Sequence, residues 1–200
     1  FAQSGSTPEG EQAALDRLAA LDPAGIALFP LDEEHAARLA ELFRSRSLPL
    51  LLLDRAPRTS SPAVDAVMSD HAGGAYAAVR HLALRGYRNV GFVTDRTSAS
   101  SVDERLEGYL QAVRDFGLVA VPHVVVDEEI RRFPYAAWRH PLDRLRDELL
   151  SLRSHFPLGL FAMNDMVALQ CMRILLEEGI DVGGEVGLVG VTGRIPLGYY

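Results

Sequence analysis

The sequence predicts an α/β fold: two Rossmann-like, doubly wound parallel-sheet subdomains, truncated at both ends. Two observations carry that expectation. Short, nearly continuous apolar runs alternate with stretches in which apolar residues recur at helical spacing. Three of the helical stretches are followed by glycines, Gly86, Gly117 and Gly179, where a helix ends in a left-handed residue, and a new strand starts a few residues later.

The expected strands are Gly25–Phe29, Leu50–Leu53, Val64–Met68, Val90–Thr94, His123–Val126, Leu158–Ala162 and Val186–Val191. Continuous rather than alternating apolar character fits strands buried on both faces of a parallel sheet. A first helix is expected over roughly Glu9–Leu21. Further helices are indicated by single apolar stripes: Ala36, Leu39, Ala40 and Phe43; Ala75, Ala78, Val79 and Leu82; Leu106, Tyr109, Leu110 and Val113; Ala168, Cys171, Met172 and Leu175. The segments Ala56–Ala63 and Asp95–Ser101 read as polar loops, and Asp127–Pro134 as an exposed connection. The chain opens on a polar stretch and a helix rather than a strand, and stops just after one, which reads as a piece of a larger sheet system.

Composition narrows the function. The 200 residues are 48% hydrophobic and 24% charged, as expected of a folded chain and not of a disordered one. No apolar run approaches the roughly 18 residues a membrane helix needs, and FAQSGSTPEGEQ lacks the basic start and apolar core of a signal peptide. Acidic residues outnumber basic ones 27 to 20, for a net charge of −7, and every basic residue is arginine. An acidic surface without a run of arginines is repelled by phosphate backbones, so direct nucleic-acid binding by this chain is not expected. The absence of lysine removes the P-loop, Schiff-base and Ser-x-x-Lys chemistries. One cysteine, Cys171, allows neither an internal disulfide nor a cysteine-built zinc site, and fits a reducing, cytoplasmic setting. No G-x-S-x-G, H-E-x-x-H, EF-hand or G-x-G-x-x-G pattern occurs in context, so no catalytic residue, metal or cofactor is expected.

In open parallel sheets, ligands bind beyond the carboxyl ends of the strands. Those positions carry Asp54 and Arg55; Ser69, Asp70 and His71; Asp95, Arg96, Ser100, Ser101, Asp103 and Arg105; Asn164 and Asp165; and Thr192, Gly193 and Arg194. Mixed hydroxyl, amide, carboxylate and guanidinium groups suit a neutral polyol or sugar. Structural roles compete at several positions. Ser101 with Glu104 has the spacing of a capping box, Asn164 or Asp165 is an N-cap type, and Asp54–Arg55 is a plain surface ion pair. Arg105, expected in a first helical turn where a cation opposes the dipole, is the strongest functional candidate. Cys171 and Met172 lie on an apolar stripe and read as core.

Val64–Asp95, then SVDERLEGYLQAV (Ser101–Val113), then Leu160–Val191, preceded by IALFP and PLLLLDR, together resemble the effector-binding domain of lactose/galactose-repressor-type bacterial transcription regulators. The resemblance implies a periplasmic-binding-protein-like fold, with an N-terminal subdomain over 1–69, a C-terminal subdomain over 70–192, and the start of a return crossover over 193–200. It implies ligand contacts at Asp54, Ser101, Arg105 and Asn164, with Phe133 as a stacking residue. Thr192 stands where the family carries an aspartate that accepts from sugar hydroxyls. The partners it implies are a sugar or related polar effector, a second copy of the chain, and DNA through a head domain absent from this sequence. A transport-type solute-binding protein of the same fold and an enzyme on this scaffold are the alternatives.

Overall fold

A computed structural model describes residues 2, 7–57, 64–94, 100–126 and 142–191. The chain divides into two units, Phe1–Ser69 with Ser98–Asp103, and Asp70–Thr97 with Glu104–Tyr200.

In the first unit, helix α1 (Pro8–Ala19) starts behind Thr7, whose hydroxyl accepts the Gly10 N–H at 3.1 Å. Strand β1 (Ile26–Leu28) leads to helix α2 (Glu33–Ser45), capped by Asp32, which accepts the His35 N–H at 2.7 Å. Strands β2 (Leu50–Leu53) and β3 (Asp65–Val67) complete a parallel sheet of order β1-β2-β3, in register Leu28↔Leu52 and Leu53↔Val67. Leu15, Ala36, Leu39, Ala40 and Phe43 pack on Ile26, Leu50 and Leu52, so both helices cover the same face. Among the described residues only this face of the first sheet is covered, not the two expected of every strand. Leu51 and Leu53 are only half-buried, and all of β3, at the sheet edge, is exposed.

Between α1 and α2, Glu11 is buried with its Oε2 2.7 Å from His35 Nδ1. Burial pushes the Glu11 carboxyl above its usual range; Asp32 adds to the shift, while His35, a backbone hydrogen bond at Leu31, and Arg38 oppose it.

The second unit runs through helix α3 (His71–Leu84), strand β4 (Asn89–Thr94) and helix α4 (Ser100–Asp115), whose first turn is counted with the first unit. Strands β5 (Val119–Ala120) and β6 (Val124–Val125), helix α5 (Asp143–Ser151), strand β7 (Leu158–Ala162), helix α6 (Asp165–Glu177) and strand β8 (Val186–Gly190) come next. The strands are parallel in the order β5-β4-β7-β8, and β6 also pairs with β4. The edge expected as one strand over His123–Val126 is two short pieces flanking Pro122, which has no N–H to give a ladder. Helix α5 was not expected, although Leu142, Leu145, Leu149 and Leu152 mark its buried stripe. The Asp127–Pro134 connection and the core of the Asp95–Ser101 loop lie outside the described residues.

Helices cover both faces. Phe92 stacks on Phe161 (centroids 4.9 Å apart) and on Tyr109 of α4 (5.8 Å), while Gly159 lies against Leu82 of α3. On the opposite face Gly190 lies against Asp165 and Ala168 of α6. Gly86, Gly117 and Gly179 take positive φ (97°, 59° and 70°), ending α3, α4 and α6 as expected. Helix α4 crosses α3 so closely that a Cβ at Gly108 would stand 2.0 Å from the Ala72 carbonyl oxygen. Gly108→Ala is expected to cost about 2 kcal/mol by forcing the helices apart, seen as a drop of about 4–8 °C in Tm.

The ring of His123 makes edge contacts with Phe92 and Tyr109, and burial holds its pKa below the ordinary 6.5. The two shifted groups, Glu11 buried and His123 exposed but partly desolvated, give opposite pH dependences. Glu11 keeps its proton in the folded state above the ordinary 4.5, so its contribution is complete below 4.5 and lost as pH rises through the raised value. His123 resists protonation, so its contribution is complete above 6.5 and lost as pH falls through the lowered value. Urea midpoints measured against pH are expected to lose the first slope in Glu11→Gln and the second in His123→Phe.

Candidate functional site

In the first unit the polar groups gather just past the carboxyl ends of β1, β2 and β3. Asp54 follows β2 with φ 63°, a left-handed conformation unusual for a residue other than glycine. Two contacts hold it there: its N–H donates to the Val67 carbonyl at 2.8 Å, and Ser69 Oγ donates to its Oδ1 at 2.7 Å. Local strain of this kind collects at functional positions. Arg55 turns back over the β1–α2 connection. Its Nη1 donates to the Pro30 carbonyl at 3.2 Å and also to that of Leu31, and its guanidinium carbon lies 4.8 Å from the centroid of the Phe29 ring.

In the second unit the chain steps from β4 outward to β5 and β6, then returns across β4 to β7. This reversal makes a switch point between β4 and β7, where two successive connections leave in opposite directions and open a crevice. At its rim, β4 ends in the buried Thr94, and β7 leads through Met163 to Asn164. Asn164 Oδ1 accepts the Val167 N–H at 2.9 Å and so caps α6. The capping role weighed for it is therefore real.

Helix α4 carries Ser101 and Arg105 one turn apart, hence on one side of the helix. Both are buried, Arg105 to 8% exposure, with Ser100 beside them. An arginine is seldom that buried without a specific reason. Two local expectations change. Ser101 is the second residue within the helix rather than its cap, because helical geometry already includes Ser100. Arg105 is the sixth residue, beyond the first turn where the dipole penalty is concentrated, so its burial and not its dipole position marks it out. Phe133 and Thr192 lie outside the described residues.

Cys171 is fully buried, which pushes its thiol up to about 12 and leaves it inert core. Among the described residues no group of three or more His, Cys, Asp or Glu side chains could hold a metal ion. No described helix is long and apolar enough to cross a membrane.

The sequence profile of the periplasmic binding protein-like domain matches residues 79–200. The chain belongs to that family. Its curated relatives include the HTH-type transcriptional repressor PurR of Aliivibrio salmonicida, 24% identical over 152 residues that make up 76% of this chain and 43% of the relative. The HTH-type transcriptional regulator GalR of Escherichia coli is 32% identical over 117 residues, 58% of this chain and 32% of the regulator. The chain thus spans less than half the length of these relatives. Among solved structures, a sugar-binding regulator of the LacI family from Escherichia coli, complexed with phosphate, is 25% identical with a TM-score of 0.66 over 91% of this chain and 62% of that one. The regulator CelR in complex with cellobiose shares the fold at 22% identity and TM-score 0.71, covering 92% of this chain and 53% of that one.

Because Asn164 caps α6, the worth of its cap can be read by substitution. Asn164→Ala is expected to lower stability by about 1 kcal/mol through the lost cap. Asn164→Asp keeps the cap, and chemical denaturation of both variants measures the difference.

Proposed function

We propose that this periplasmic binding protein-like chain is the effector-binding and dimerising part of a bacterial transcription regulator. It senses a small polar ligand, a sugar or a close relative, and controls DNA binding by an attached head; the setting is cytoplasmic. The observation that carries the reading is the buried Arg105 one turn along α4 from Ser101, on the helix that comes after the strand beside the switch point. Desolvated in this way, a planar fork of donors is suited to hydroxyl or anionic oxygens of a ligand that enters a crevice.

Asp54 with Ser69 in the first unit, and Ser101, Arg105 and Asn164 further along the chain, are the contacts assigned to the effector, joined by Phe133 and Thr192. A ligand shifts a conformational equilibrium only through a difference in its affinity for the two states. That the relatives are named as transcription regulators favours this reading over a transport receptor. The same names favour a sensor over an enzyme.

Calorimetric titration of the full-length protein with sugars, sugar phosphates and nucleosides tests the reading. A binder is expected whose affinity falls by tenfold or more in Arg105→Ala, roughly the loss of one charge-assisted hydrogen bond. The same ligand is expected to change the protein's affinity for its operator in a mobility-shift assay. A binder that is insensitive to Arg105→Ala and leaves DNA affinity unchanged overturns the proposal.

A further inference from the structure

Helices α1 and α2 meet at a pair of ionisable side chains. Glu11, the fourth residue of α1, is 1% exposed, and its Oε2 lies 2.7 Å from Nδ1 of His35, the third residue of α2 and itself buried. Among the described residues neither Glu11 oxygen is reached by a well-aligned hydrogen bond. A carboxyl group so deeply buried and so poorly served is uncommon. None of the residues assigned to the effector accounts for it.

A nitrogen and a carboxyl oxygen at 2.7 Å need a hydrogen between them. With one proton beyond those of a neutral ring and a carboxylate, the pair has no net charge. Without that proton, one negative charge is enclosed between two helices, and an unbalanced buried charge is strongly unfavourable. The surroundings do little to balance it. Arg38 of α2 favours the carboxylate and Asp32 opposes it, while the other charges in the two first turns, Glu9, Glu33 and Glu34, are all negative. Strands β1 and β2 are apolar throughout. The dipoles of two helix N-termini favour an anion, yet burial is the larger influence and holds the Glu11 carboxyl above its ordinary range.

Water relieves such a charge only where α1 and α2 part, and the connection between β1 and α2 is tied to the same pair. The Leu31 backbone is a further polar neighbour of the Glu11 carboxyl, and Asp32 caps α2 by accepting the His35 N–H at 2.7 Å. Arg55, after β2, donates to the carbonyls of Pro30 and Leu31. The connection is therefore fastened twice, to α1 through Glu11 and to the end of β2 through Arg55. We propose that Glu11 and His35 form a proton-operated clasp: with its proton the pair keeps the first turn of α1 docked on α2 and on the β1–α2 connection, and losing the proton releases that turn. The clasp lies wholly in the first unit and is independent of the effector reading. Its closed form binds the proton more tightly than its open form, so opening grows more frequent as pH rises from 4.5 to the raised Glu11 value and levels off above it.

Amide hydrogen exchange of the full-length protein, followed by mass spectrometry from about pH 5 to about pH 8 and corrected for the intrinsic rate, reads that opening. The α1 peptide and the peptide spanning residues 29–36 are expected to open more readily as pH rises, by up to about tenfold per pH unit, the limit for one proton. Glu11→Gln keeps the shape without the titration and is expected to flatten the dependence. His35→Gln is expected to carry the rise to higher pH, since His35 holds the Glu11 carboxyl down. In the parent protein the Glu11 side-chain carboxyl carbon, followed by NMR, is expected to titrate above 4.5, a readout that stands whether or not the variants fold. An unchanged slope in Glu11→Gln, or a Glu11 carbon that titrates at or below 4.5, overturns the clasp. So does an equal rise in the Asn89–Thr94 peptide of the second unit, which makes the proton dependence a property of whole-chain unfolding.

Discussion

All the described strand pairings in both units are parallel, and the rest of the structure depends on that constraint. A parallel strand must be followed by a crossover, so every strand delivers its carboxyl end, and the first residues of the next connection, to the same edge. Asp54, Ser69 and Phe29 share one edge of the first sheet for this reason, although 40 residues separate Phe29 from Ser69. Thr94 and Asn164 share an edge of the second sheet across a longer gap, because β4 pairs directly with β7. The polar residues are brought together by the topology, not by proximity in the chain.

The same topology is maintained by space left empty. Gly108 admits α4 against α3, and Gly190 admits α6 against β8, since a Cβ there would meet Asp165 and Ala168 at 3.0–3.1 Å. The first of these helices carries Arg105 and the second begins directly after Asn164, so the placing of both residues depends on these glycines. The aromatic stack of Phe161, Phe92 and Tyr109 then fills the sheet face that supports α4. The Tyr109 hydroxyl donates to the Val90 carbonyl at 3.0 Å, and its pKa is driven to about 12 by burial. That hydrogen bond ties the helix carrying Arg105 to the strand preceding it.

The α/β class, and the parallel strands of the second unit, were legible because their signals are local. Continuous apolar runs and left-handed glycines at helix ends need no tertiary information. Burial was less legible. The four leucines of β2 read as a two-sided core strand, yet among the described residues helices cover one face only, and no local pattern in LLLL distinguishes those cases. Helix α5 was missed even though its leucines recur at helical spacing, because it comes after a stretch of mixed charge that reads as a loop. At the candidate site, Asp54, Arg105 and Asn164 stood out as polar groups placed beyond the carboxyl ends of apolar strands.

Asp54 and Arg55 each reach a different neighbouring connection. Read as a sequence they are an ion pair, worth about 0–1 kcal/mol on a surface. The left-handed φ of Asp54 also accompanies two assemblies, the carboxylate meeting Ser69 after β3 and the guanidinium lying over Phe29 after β1. One tight bend at the end of the central strand thus supplies hydrogen-bonding capacity toward one neighbour and an ordered aromatic surface toward the other. A β-branched residue at position 54 would tolerate that backbone poorly, and glycine would tolerate it but bring no carboxylate. Aspartate is among the few residues that satisfy both demands, since it visits the left-handed region more readily than most and carries the acceptor the edge needs.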